Sequence, residues 1–188
     1  MSAFDYLSVL LSIVLGLAIA NVLARLAAVV TARERVDFYW PPVAWAVWLF
    51  FISVQHWWAE WGVRHTQSWT FGTYWLELLV PVDLFLLSAL VLPERDQHGT
   101  LDLGAWFFHN RRWFFAVMFF LPAASIAGEL ARSGHVASTL NLAFLIAFEV
   151  VIAAAFVLKS RRAQEWIAAQ AIVLTAAYVG LLFLPLPR

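Results

Sequence analysis

The hydrophobic positions of this chain form long, nearly unbroken stretches and not the short alternating or amphipathic patterns of a soluble protein. Six stretches are long enough to cross a bilayer, because a membrane-spanning helix needs about 20 mostly apolar residues. The predicted spans cover residues of about 4–30, 39–61, 71–92, 112–131, 138–158 and 164–184. The pattern therefore predicts an all-α, polytopic membrane protein of six transmembrane helices, with residues 1–188 forming a single transmembrane domain.

Composition and charge agree with this prediction. Hydrophobic residues make up 63% of the chain and charged residues 13%, whereas a soluble domain has about a quarter charged residues. The apolar composition makes a lipid bilayer the expected partner, and the 12 basic and 12 acidic residues cancel, so no net charge favours nucleic acid. The sequence has no cysteine, which excludes disulfides, thiolate metal sites and cysteine nucleophiles.

The connections between the spans predict an orientation. The first, third and fifth connections carry eight Lys and Arg residues, against three on the opposite side. Because basic residues concentrate in cytoplasmic loops, both termini are predicted to be periplasmic. The longest connection, 93–111, includes an amphipathic stretch with Leu103, Trp106 and Phe107, which we expect to lie in the membrane interface.

Two segments of the chain are similar to each other. The pattern Ile-Ala-x-x-Leu-Ala-Arg occurs at 19–25 and again at 126–132, which suggests two inverted three-helix repeats of the kind found in secondary transporters. The alternative is a coincidence in a chain rich in Ala and Leu. Gly16, Ala20 and Ala24 lie four residues apart and predict a seam where another helix packs closely.

Three acidic residues lie well inside predicted spans, namely Glu77 and Asp83 in the third and Glu149 in the fifth. A carboxylate at the bilayer centre costs about 2.5–3.5 kcal/mol on insertion scales, so such residues are functional candidates. Pro81 lies between the first two and removes the hydrogen bond to the carbonyl of Glu77. We interpret the three acids either as sites for a cation or proton or as neutral structural hydrogen-bonding groups.

His56 and Glu60 are spaced i, i+4 and are therefore predicted to share one face of the second helix. An imidazole and a carboxylate one turn apart can relay a proton or contribute to a metal site. The alternative is a hydrated helix end at the membrane surface.

Enzyme signatures are missing from the sequence. It contains no nucleotide-binding, HExxH metalloprotease or GxSxG hydrolase motif. A membrane enzyme is not excluded by this absence, but no residue is predicted to be catalytic and no cofactor can be assigned.

Three aromatic segments, at 4–8, 38–41 and 110–115, give the chain a family likeness. Read together, they make it resemble a group of small bacterial multi-pass inner-membrane proteins of no established activity. The resemblance implies a location in a bacterial inner membrane and says nothing about chemistry.

These observations favour a small cation- or proton-linked transporter or channel. The first alternative is a non-catalytic subunit or scaffold that packs against a partner membrane protein or against further copies of itself. A membrane metal- or haem-binding protein that uses His56 is the second.

The predicted topology can be tested with reporter fusions after Gly99 and at the C-terminus. We expect the Gly99 fusion to report the cytoplasm and the C-terminal fusion the periplasm, because the basic residues are distributed in that way. Two fusions that report the same side would contradict the span count or the orientation.

Overall fold

A computed structural model describes residues 3–60, 70–94, 100–135 and 139–183. Residues 61–69, 95–99, 136–138 and 184–188, which include the ends of three predicted spans and parts of the predicted connections, lie outside this part of the chain. Within the described residues the fold consists of six α-helices, two very short strands and a 3-10 turn. The helices are α1 (Ala3–Thr31), α2 (Trp40–Glu60), α3 (Phe71–Leu90), α4 (Leu103–Ser133), α5 (Thr139–Val157) and α6 (Arg161–Phe183), and the strands are β1 (Val36–Asp37) and β2 (Leu101–Asp102). The predicted all-α class is confirmed.

Four of these helices are long and apolar enough to cross a membrane. The qualifying segments are Ser8–Thr31, Phe71–Leu90, Leu103–Ala131 and Thr139–Val157. The other two helices carry more polar side chains: α2 is rich in tryptophan and ends in a polar turn, and α6 begins with charged and amide residues. The chain is thus a multi-pass membrane protein by length and composition, and its six spans stay a prediction.

The helices form a ring. Along it, α1 packs against α3, α3 against α4, α4 against α5, α5 against α6, α6 against α2, and α2 against α1. In addition, α2 contacts α3 and α4 across the ring, and the buried indole of Trp45 packs edge-on against Phe114 and Phe115 of α4. An aromatic cluster thus joins α2 to α4 across the ring, although the most extensive helix contacts are those of α3 with α4 and with α1.

Three connections meet at one end of the ring, which we call the ribbon end. Here β1 pairs in parallel with β2, so that Val36 is opposite Leu101. The hydroxyl of Tyr39 donates to the carbonyl of Arg161 at 3.2 Å, and the Arg161 guanidinium lies 4.7 Å from the centre of the Tyr39 ring. The first, third and fifth connections are therefore on the same side of the bundle, and we call the opposite side the far end.

Exposed tryptophans mark both ends of the bundle. Trp57, Trp58 and Trp75 are exposed towards the far end, and Trp113 and Trp166 towards the ribbon end. Two such belts are typical of helices that cross a bilayer, because the amphipathic indole ring prefers the headgroup region.

A buried arginine and a buried glutamine cap the C-terminus of α5 at the ribbon end. The Arg111 guanidinium donates to the carbonyls of Ala155, Phe156 and Leu158 at 2.5, 2.8 and 3.0 Å. The Gln164 amide donates to the Ala155 and Leu158 carbonyls at 2.9 and 2.5 Å. The last carbonyls of a helix have no donor within the helix, so residues from α4 and α6 supply the donors that α5 lacks.

A second buried arginine binds the chain at the C-terminus of α3. Arg25 of α1 donates to the carbonyl of Leu92 and forms an ion pair with Glu94 at 3.3 Å. Its Nε donates to Asn21 at 3.2 Å, and the Asn21 amide donates to the Ser88 hydroxyl at 2.9 Å. This polar network joins α1 to α3 inside an otherwise apolar contact.

The stretch of the connection 93–111 that is predicted to lie in the membrane interface forms the beginning of α4, and its interfacial location stays a prediction. Helix α4 begins nine residues earlier than the predicted span, and the carboxylate of its N-cap residue Asp102 accepts a hydrogen bond from the Ala105 amide at 2.7 Å. The side chains of Leu103 and Phe107 are buried in the core. Trp106 likewise points inward and donates to the Leu90 carbonyl.

The packing also contradicts the inverted repeat. In two equivalent halves, the close contact between α1 and α3 would be matched by one between α4 and α6, but the described parts of α4 and α6 have no comparable contact. The predicted seam is not used within the chain either, since Gly16, Ala20 and Ala24 are exposed. Instead α1 packs through larger residues such as Leu15 and Val22.

The cap on α5 predicts that replacing Arg111 lowers the stability of the protein far more than replacing its neighbour Arg112. Arg111→Met should destabilise the protein by roughly 1.5–3 kcal/mol, because hydrogen bonds to charged groups contribute about that much and buried carbonyls would lose their donor. Arg112→Met is the matched control, since Arg112 is exposed. Thermal unfolding in detergent measures both variants, and equal midpoints would show that the cap does not stabilise the fold.

Candidate functional site

A cavity of about 280 Å³ occupies the side of the ring where α4 and α6 stand apart. It is open on one side and lies between α2, α4, α5 and α6, with Val80 contributed by α3. Most lining residues are apolar or aromatic, and they include Trp48, Ile52, Met118, Leu121, Phe144, Phe148, Ile152, Leu174 and Tyr178. The polar lining residues are Gln55, His56, Ser125, Asn141 and Thr175.

Two aromatic pairs, which use residues one turn apart on α5, form part of the cavity wall. The rings of Trp48 and Phe148 are stacked, with centroids 5.2 Å apart and an interplanar angle of 16°. The rings of Phe144 and Tyr178 are also 5.2 Å apart but inclined at 62°. The pairs join α2 to α5 and α5 to α6, so aromatic contacts between these helices form this part of the wall.

Hydrogen bonds between side chains hold this wall together. The Trp48 indole donates to the Thr175 hydroxyl at 2.8 Å, and that hydroxyl donates to the Ala171 carbonyl. The Tyr178 hydroxyl donates to Asn141 Oδ1 at 3.0 Å. None of these residues is among the candidates predicted from the sequence. Each carries a polar group inside an apolar stretch, and this is the sequence signal that could have identified it.

His56 is the sequence-predicted candidate that lines the cavity. Its Nε2 lies 3.4 Å from Oε1 of Glu60, one helical turn further along α2, and both side chains are more than four-fifths buried. The structure thus brings this predicted pair together at the far end of the bundle. A buried pair of this kind can hold a proton between imidazole and carboxylate.

Glu77 is buried against α4 and away from the cavity lining. Its carboxylate packs on Gly128, where a Cβ atom would lie only 3.3 Å from Oε1 of Glu77. Gly128 therefore makes room for the acidic side chain inside the contact between α3 and α4.

Glu149 and Asp83 lie outside the cavity lining as well. Glu149 belongs to the same stripe of α5 as Leu145, Phe148 and Ile152, which line the cavity. Among the described residues no hydrogen-bond partner reaches its buried Oε2. Asp83 is half-buried on α3, and its role as a cation or proton site stays a prediction.

The predicted candidates do not converge on a metal site in the part of the chain that the structure describes. No three His, Asp or Glu residues there are close enough to hold a metal ion.

Comparison with protein-family models, with curated proteins and with solved structures found no match for the chain. The geometry of the cavity therefore carries the functional argument. It combines an apolar chamber with one titratable residue in its wall, His56, whose partner Glu60 lies outside the lining, an arrangement that can bind a small molecule and accept or release a proton.

The contact between Glu77 and Gly128 predicts a position-specific packing defect. Gly128→Leu should lower stability by about 1–3 kcal/mol, because a larger side chain must displace a buried carboxylate. Gly180→Leu is the control, since no atom lies within 4 Å of a Cβ at that position. The measurement is the thermal unfolding midpoint in detergent, and a Gly128→Leu variant as stable as Gly180→Leu would contradict the contact.

Proposed function

We propose that this protein is a small proton-linked membrane transporter. The observation that carries the proposal is the position of His56, which lines the cavity and is paired with Glu60. Imidazole changes its charge between about pH 5 and pH 8, so it is suited to proton transfer in a physiological gradient.

The surroundings of this pair support the proposal. Ionisable residues within membrane helices commonly form proton relays when they face the interior of the bundle or a cavity. His56 is on an inner face of α2, and Glu149 lies on α5 beside the cavity-lining stripe. In the proposed mechanism a proton enters from the far end, binds to the pair and leaves after the bundle changes conformation. Asp83 and Glu77 are further proton or cation candidates outside the cavity wall.

The proposed location is a bacterial inner membrane with both termini in the periplasm. The resemblance in the aromatic segments and the distribution of Lys and Arg support it. In that orientation the cavity lies in the periplasmic half of the bundle.

A second candidate function is that of a membrane subunit or scaffold. It is favoured by the exposed stripe of Gly16, Ala20 and Ala24, since nothing in the described chain lies within 4 Å of a Cβ at Gly16. Small residues four apart allow a partner helix to approach closely. Absence of transport by the purified protein would favour this candidate.

Proton flux tests the transport proposal directly. Purified protein is reconstituted into liposomes that contain a pH-sensitive dye, and a potassium diffusion potential drives proton entry. We expect the parent to conduct protons and His56→Gln to lose at least about nine-tenths of the flux, because an amide cannot bind a proton in this pH range. Glu149→Gln and Asp83→Asn test the two further acids in the same assay.

The matched control for the flux assay is His109→Gln. His109 is exposed near the ribbon end of α4 and lies outside the cavity lining, so its replacement should leave the flux unchanged. A parent without proton flux, or a His56→Gln variant with full flux, would contradict the proposed function.

A further inference from the structure

The charge of the cavity wall limits what the cavity can bind. Of the described residues that line it, none is Lys, Arg, Asp or Glu. Transfer of a bare ion into a low-dielectric site is costly unless an opposite charge pairs with it. The wall therefore disfavours a metal cation or a permanently charged solute and favours an uncharged one.

The size of the cavity sets the size of that solute. A dry apolar cavity of about 150 Å³ holds one benzene ring. The cavity in this protein has a volume of about 280 Å³, close to twice as much. Its volume thus suits a molecule of about two fused rings.

The aromatic wall indicates the shape of the solute. Trp48 stacks on Phe148 and Tyr178 packs against Phe144, so aromatic rings line the cavity from α2, α5 and α6. Aromatic rings gain most from offset-stacked or edge-to-face contacts with another ring. A planar ligand can make both kinds of contact here, whereas a flexible alkyl chain gains only from apolar burial.

Two polar side chains are available to orient such a ligand. Gln55 and Ser125 line the cavity and make no hydrogen bond within the described part of the chain. The Trp48, Thr175 and Tyr178 donors, in contrast, are engaged in the wall. Ligand sites commonly combine an apolar wall with a few such polar groups.

We propose that the cavity binds a small, uncharged, planar molecule of about two fused rings that carries a hydrogen-bonding group. The role of this molecule as the transported solute rests on the proposed transport function. Its binding to the cavity does not require transport, so the two can be tested separately.

Naphthalene derivatives that differ only in charge provide matched probes. They are 1-naphthol, which is neutral, 1-naphthoate, which is an anion, and 1-naphthylmethylammonium, which is a cation. Decane serves as a mimic of a lipid acyl chain. Each probe is added to the purified protein in detergent, and the thermal unfolding midpoint is recorded.

One substitution fills the cavity and its neighbour does not. Leu174→Trp places an indole in the cavity, since Leu174 is part of the lining. Val173→Trp introduces the same side chain one position earlier on α6, where Val173 is 68% exposed and outside the lining. The pair separates binding in the cavity from general effects of probe and detergent.

We expect 1-naphthol to raise the midpoint of the parent and of Val173→Trp by about 5–10 °C at a hundredfold excess over Kd. The Leu174→Trp variant should show no such rise, and the two charged probes and decane should have little effect on any protein. Gln55→Leu should raise the concentration of 1-naphthol that is needed for the same midpoint shift at least about fivefold, because the hydrogen bond from Gln55 is lost.

Several results would overturn this inference. They are a stronger effect of either charged probe, an equal effect of decane, an equal shift in Leu174→Trp, or no shift with 1-naphthol up to its solubility limit. Because no proton flux is measured here, a failure of binding is distinguishable from a failure of the proposed transport function.

Discussion

The end of α5 presents carbonyl groups that have no donor within their own helix, and a membrane offers little water to replace one. Arg111 and Gln164 supply the donors from the two neighbouring helices, and both side chains are completely or almost completely buried. A cation near the C-terminus of a helix is also favoured by the helix dipole. In the same way, the Arg25 guanidinium donates a hydrogen bond to the carbonyl of Leu92, just after the end of α3. At the ribbon end of the bundle these two arginines thus supply the donors that the ends of α3 and α5 lack.

This arrangement explains why the cavity lies where it does. Arg111 and Gln164 hold the ribbon ends of α4 and α6 against the end of α5, while the described parts of α4 and α6 do not pack closely against each other. Towards the far end the space between them is bordered by aromatic pairs from α2, α5 and α6. The helices are therefore joined by side-chain hydrogen bonds at the ribbon end, and the cavity lies between them towards the far end.

The sequence predicts the helices well, because each apolar stretch is long and the bilayer requirement is strict. It also predicts that His56 and Glu60 meet, since helical spacing alone decides this. It does not predict the early start of α4, which depends on the cap by Asp102, or the wall bonds of Trp48 and Tyr178. The cap is a local contact of one side chain, whereas the wall bonds join residues from different helices, and nothing in a periodic apolar pattern specifies which helices become neighbours. The short likeness between 19–25 and 126–132 was misleading for the same reason, since it carried no information on packing.

The proposed function requires that the cavity is reached from the far end while the ribbon end stays closed. The chain contains no cysteine, so single substitutions can report accessibility without a background. Ser125→Cys probes the exposed rim of the cavity, and Lys159→Cys probes the ribbon end. In sealed vesicles of defined orientation, a membrane-impermeant maleimide should label the Ser125→Cys protein from one side and the Lys159→Cys protein from the other. Labelling of both from the same side, or no labelling of Ser125→Cys from either side, would contradict the account.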